Sequence, residues 1–173
     1  HVPSDPELIN RTEMDSTWGD AFRWGVRGFV EDARLDRAEL ARLLDPTQAG
    51  FTNAAQRIAY VESHDEERVL RSLRQKGFSE AESFRRALLA LALTLTAPGP
   101  AMVYAGQEFG EDTPKIVGPN PLDWKRTQGW FGARARNLQA AARALAALRA
   151  AHPAFRSDAV RMQAEGLPDD VAV

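Results

Sequence analysis

Apolar residues recur every three to four positions over four stretches of the chain, and two short runs between them are apolar throughout. The first helical stretch places Trp18, Phe22, Val26, Phe29 and Val30 on one face, with Ser16 or Thr17 as its cap. Gly19, Gly25 and Gly28 weaken it, each by up to about 1 kcal/mol relative to Ala, which predicts close approach to a neighbour. A second helix begins at Asp36, with Glu39 three residues on, Leu40, Leu43 and Leu44 as its apolar face, and Pro46 as its stop. Ser79-x-x-Glu82 is a capping box before the third helix. Phe84, Leu88, Leu91 and Leu95 line one face of that helix and Leu89 and Leu93 add another, so its later turns are expected to be buried nearly all round until Pro98-Gly99-Pro100. The fourth runs from about Arg134 to Ala151, with Leu138, Ala141, Ala142, Leu145 and Leu148 inward, Arg136, Arg143 and Arg149 off that face, and Pro153 closing it.

The two apolar runs read as buried strands: Arg57 to Glu62, and Ala101 to Ala105. Both end abruptly in polar loops, Ser63-His64-Asp65 and Gly106-Gln107-Glu108. Prolines and a Ser-Asp-Pro signal mark residues 1–9 as loop, and 11–15 reads as a short strand. Residues 111–132 form a long irregular stretch whose Trp124 and Trp130 argue against disorder. Strand-helix-strand-helix order with polar loops after the strands predicts a parallel α/β fold. The strands are too few to close a barrel, so the expectation is a piece of a longer protein, with 1–157 in one domain and 158–173 a linker leading into the first strand of a further β domain.

Composition narrows the partners. The chain has 173 residues, 44% hydrophobic and 27% charged, with a net charge of -2, which gives no basic footprint for nucleic acid. The longest apolar run, 87–97, is too short to span a bilayer. Cysteine is absent, which removes disulfides and thiolate chemistry. The compartment stays open, with the cytoplasm favoured.

The candidate chemistry sits where hydrophobicity stops, at Glu62, His64 and Asp65. In parallel α/β folds, functional groups gather at the C-terminal ends of strands. The competing readings are a plain solvated loop and a His-Asp metal phosphohydrolase site. The latter needs further ligands, and the other histidines, His1 and His152, lie in poor contexts for it. Glu62 points either into a site or into a buried ion pair. Trp124 and Trp130 suit either sugar stacking or packing that anchors their loop, the second being preferred. Glu108 is read as a structural partner, Tyr104 as core, and Arg68, Arg71 and Arg74 as a solvated face.

Two stretches resemble the α-amylase family of glycoside hydrolases (family 13). Tyr60-Val61-Glu62-Ser63-His64-Asp65 is similar to its strand-seven motif. Pro98-Gly99-Pro100-Ala101-Met102-Val103-Tyr104-Ala105-Gly106-Gln107-Glu108 is similar to its strand-eight motif, with Ala101 where proline is common. Residues 144–154 look like its last barrel helix, and Met14 to Trp18 with Phe22 like its strand-six region. The resemblance covers about residues 8–157. It implies a partial (β/α)₈ TIM barrel, about strands six to eight. It implies that Asp65 is the third, transition-state-stabilising carboxylate and that His64 binds the sugar, with Glu62 and Trp124 as further substrate-binding candidates. The nucleophile and general acid find no match in this sequence. The implied partners are an α-glucan or oligosaccharide and the remainder of the barrel, with no cofactor, no metal ligand and no membrane. Branching enzyme, transglycosidase and non-catalytic fragment are the alternative readings.

Overall fold

The structure, a computed structural model, describes residues 6–34, 37–130 and 132–159. Expected loop at the start is partly helical: α1 spans Pro6–Arg11. Proline at a first helical position costs no hydrogen bond, and Glu7 pairs with Arg11 at 2.5 Å one turn on. The short strand expected at 11–15 lies slightly later, as β1, Thr17–Trp18. It pairs in parallel with β2, Arg57–Ile58, in the register Thr17 to Arg57 and Trp18 to Ile58. The Gly19 N–H extends the ladder to the Ile58 carbonyl at 2.9 Å. A Cβ on Gly19 would come within 2.7 Å of that oxygen, so glycine permits the approach. Helix α2, Asp20–Asp32, therefore starts after Gly19 and not at Ser16 or Thr17.

Beyond β2, Ala59 bridges in parallel to Ala101. The Ala59 N–H donates to Pro100 at 2.8 Å and the Met102 N–H to Ala59 at 2.9 Å. The strand traces thus lie in the order β1, β2, Ala101, all parallel. The ladders are shorter than the apolar runs that predicted them. Tyr60 and Val61 are fully buried, so burial against helices, not extended pairing, explains their hydrophobicity.

Helix α3 is Arg37–Leu44, and 3₁₀ turns at Pro46–Ala49 and Ala54–Gln56 fill the expected loop before β2. Helix α4, Val69–Gln75, was not expected; its signal is Val69, Leu70 and Leu73, all buried. Helix α5 is Glu80–Thr96, capped by Ser79, whose hydroxyl accepts the Glu82 N–H at 3.2 Å. Helix α6 is Ala133–Ala151.

Two apolar clusters meet on α5. Phe22, Val26 and Val30 of α2 join Val61, Leu70, Leu73, Ala87 and Ala90. Leu91 and Leu95 join Leu138 and Ala142 of α6. Leu148 stays largely exposed, at 41%. Arg149 turns back instead, donating to the Leu95 and Ala97 carbonyls at 2.9 and 2.7 Å and to that of Gly99. It thereby satisfies acceptors left open where α5 ends.

Candidate functional site

Residues 63–67 leave β2 as a tight polar loop. Ser63 is buried; its hydroxyl donates to the Glu66 carboxylate and accepts the Asp65 backbone N–H at 3.1 Å. His64 and Asp65 project outward, with side chains 68% and 46% exposed, and His64 Nε2 stands 3.5 Å from Asp65 Oδ1. The Trp18 ring at the end of β1 meets the His64 ring edge-on at 6.1 Å and the Tyr60 ring at 5.2 Å. The parallel register at Trp18 and Ile58 places this aromatic beside the loop. Read from sequence, Trp18 is a helix-face position; in the structure it ends a strand.

Glu62 does not share that exposure. Its side chain is 3% exposed, accepting Arg68 at 3.2 Å and the Val69 N–H at 2.8 Å. Burial pushes its carboxyl above the usual range, and Arg68 and the Val69 N–H offset part of that rise. Of the two placements open for Glu62, the buried pair is the one found. It is removed from the residues facing solvent, because both oxygens are turned inward. Arg68 likewise departs from the expected solvated face. It is buried, lies 4.0 Å above the Tyr104 ring, and donates to the Ala105 carbonyl at 2.9 Å. It thus ties the end of β2 to the chain after Ala101. Arg71 and Arg74 are half-buried and paired with Glu67 and Asp112.

A second carboxylate organises the loop after Ala101. Glu111, 1% exposed, accepts the N–H groups of Asp112 at 3.0 Å, Thr113 at 2.9 Å and Asp123 at 2.7 Å, and the Thr113 hydroxyl at 2.5 Å. Arg126 pairs with it at 3.1 Å. Burial alone would raise its pKa, but these donors hold its carboxyl below the usual range. The loop then reaches the His64–Asp65 segment. Lys115 donates its ammonium to the Asp65 carbonyl and its N–H to Glu67 at 3.0 Å. Trp124 packs on Phe109 at 5.1 Å and remains 55% exposed; Trp130 is 84% exposed. Glu108 accepts the Gly106 N–H at 2.8 Å, a local structural bond.

On the other side, α2 supports the loop. Tyr60 donates to Asp20 and accepts from Arg23 Nε at 3.2 Å, and burial with the Asp20 bond raises its phenol pKa. Arg23 also faces Glu66 at 3.5 Å. Sequence reasoning missed Glu66, although Ser63-x-x-Glu66 spacing could have flagged it; Arg23 and Glu111 gave no local signal. Among the described residues, no three His, Asp or Glu side chains converge as a metal site needs.

The family model of the alpha-amylase catalytic domain matches residues 27–162. The chain belongs to the α-amylase family. Several solved structures share this shape. A cyclic α-maltosyl-(1→6)-maltose hydrolase from Arthrobacter globiformis, in complex with cyclic α-maltosyl-(1→6)-maltose, has a TM-score of 0.73 at 27% identity. It covers 96% of this chain and 35% of its own. A pullulanase from Paenibacillus barengoltzii, in complex with maltohexaose and α-cyclodextrin, has a TM-score of 0.65 at 26% identity, covering 86% of this chain and 27% of its own. A pullulanase from Anoxybacillus sp. LM18-11, at 22% identity and a TM-score of 0.73 over 98% of this chain and 26% of its own, shows the shared fold. The α-amylase family chain described here thus spans about a quarter to a third of these enzymes. A search of curated protein sequences found no match.

Proposed function

We propose that this chain supplies strands six to eight, with their helices, of the (β/α)₈ barrel of a retaining glycoside hydrolase acting on α-glucans. In that reading β1, β2 and the Ala101 segment are the three strands and Asp65 is the carboxylate that stabilises the transition state; the further β domain expected from 158–173 falls almost wholly outside the described residues. The observation carrying it is the placement of His64 and Asp65, both exposed in the polar loop that follows the parallel ladder of β2 and the buried segment 59–62. Retaining hydrolysis needs a nucleophile and a general acid about 5 Å apart. Neither role falls to a carboxylate of this chain; both belong to the part of the barrel that this sequence does not hold. As the glycosidic bond lengthens, positive charge grows on the sugar ring. A carboxylate beside that ring interacts more strongly with the transition state than with bound substrate, which lowers the barrier. His64 donates a hydrogen bond to a sugar hydroxyl, and the Trp18 ring limits its swing. Trp124 anchors its loop on Phe109 and leaves an open face for a more distant sugar.

Hydrolysis is favoured over branching or transfer by the similar structures, two of which, above 25% identity, are named as a hydrolase and a pullulanase. The test is turnover of maltooligosaccharides by the complete barrel with Asp65→Asn. Loss of about two to three orders of magnitude in kcat/KM is expected from removing one preorganised group. Near-normal turnover by a folded variant would reduce Asp65 to a loop carboxylate.

A further inference from the structure

The main chain sets where the Asp65 Cα–Cβ bond points, and so which few positions its carboxylate can reach through the staggered χ1 rotamers. That main chain is held by a polar relay that begins on a different element. Arg23 of α2 has a side chain only 7% exposed. Its guanidinium lies 4.1 Å from the Trp24 ring and donates to Tyr60 at 3.2 Å, so its head is fixed. It stands 3.5 Å from Glu66 and 3.6 Å from Asp20. Glu66 in turn accepts the Ser63 hydroxyl. A hydroxyl that donates to a carboxylate turns its lone pairs the other way, and here they receive the Asp65 N–H at 3.1 Å. The relay is thus one ion contact, Arg23 to Glu66, followed by two hydrogen bonds, Ser63 to Glu66 and Asp65 to Ser63.

We propose that Arg23 and Glu66 are positioning residues for Asp65, acting through Ser63 on the peptide that aims its carboxylate. The inference rests on the function proposed above for Asp65. It assigns catalytic consequence to a helix residue and a loop carboxylate that touch no substrate. Removing Glu66 frees the Ser63 hydroxyl to rotate, and the Asp65 N–H loses a fixed acceptor. Removing Arg23 leaves Glu66 without its cation and free to turn toward water.

The test has two parts. In the complete barrel, amide exchange is compared for Glu66→Ala, Arg23→Met and Arg23→Lys. The Asp65 N–H should exchange about tenfold faster in the first two and be partly restored in the third, since one kcal/mol-scale bond is lost. The N–H groups of Ala59 and Met102, which bond across the strands, should not change, and they report that the variant is folded. In the complete barrel, kcat should fall about ten- to a hundredfold with KM within about threefold, the scale of a small misplacement of a reacting group. Arg23→Lys should recover part of the loss. Unchanged kcat in Glu66→Ala and Arg23→Met, in a barrel where Asp65→Asn abolishes turnover, overturns the positioning role and leaves the function standing. Equal losses in kcat and in Ala59 protection overturn it too, because the residues then support the fold alone. Turnover that survives Asp65→Asn overturns both.

Discussion

Glu62 and Arg68 form an ion pair at 3.2 Å with side chains 3% and 6% exposed, directly below the loop that presents His64 and Asp65. Buried pairs of this kind contribute little over an apolar pair of the same shape, but each partner is costly to leave alone. Arg68→Met should therefore lower stability by about 3–5 kcal/mol at neutral pH, read from urea unfolding. The pH dependence follows from Glu62, whose carboxyl is raised by burial. A raised carboxyl favours the folded state below the ordinary value and loses that contribution as pH rises through its folded value. The variant, stripped of the offsetting cation, should thus lose less stability at acid pH than at pH 7. An equal loss at both would show that Glu62 does not carry the charge.

His64 and Asp65 should separate in their effects on the complete barrel. Asp65→Asn removes the countercharge and should cost more in kcat/KM than His64→Ala. The histidine supplies hydrogen bonding, and its loss should cost about tenfold to a hundredfold, the scale of one to two such bonds. Steady-state kinetics on a maltooligosaccharide measures both. Larger loss at His64 would transfer the central role to the imidazole.

Glu111 should behave oppositely to Glu62. Its donors hold the carboxyl below the usual range despite burial. Such a group stabilises the fold above the ordinary carboxyl value and loses that contribution as pH falls through its folded value. Glu111→Ala should cost about 3 kcal/mol at pH 7, since several buried donors lose their acceptor at once. The difference from the parent should shrink on acidification, measured by thermal unfolding between pH 7 and pH 3.

Arg149→Met should destabilise the α5–α6 pair by about 1–3 kcal/mol, because three carbonyls at the end of α5 lose a charged donor. Arg149→Lys should recover part of this, with fewer donors to share. Amide protection near the end of α5 would localise the effect.

The fold was legible where local rules decide the outcome. Ser79 caps α5 through the Glu82 N–H, and the apolar runs mark where the parallel strands lie. The Ser63-His64-Asp65 turn was legible because hydrophobicity stops there. What the sequence hid depends on contacts between distant residues. Arg68 looks like a surface charge until Tyr104 and Ala105 close over it. Glu111 has no motif, because its donors come from 12 residues away as well as from its neighbours. The close approach expected at the helix glycines is met at Gly25, where a Cβ would overlap Leu43 of α3, although the sequence did not name that partner. Arg149 reads as a position off the inner face of α6 until the end of α5 is placed against it.

The parallel register has a consequence for how the chain folds. Thr17 meets Arg57 and Ala59 meets Ala101, so each strand contact joins residues roughly forty positions apart. Every such pairing closes a loop whose entropy is lost before the ladder returns anything, and the ladders are only a few bonds long. The helices between them are expected to form and pack first, with strand registry arriving late in the transition. Such a chain should fold more slowly than a helical bundle of its size, and its slow step should be sensitive to Gly19, where the backbone has to pass close to Ile58.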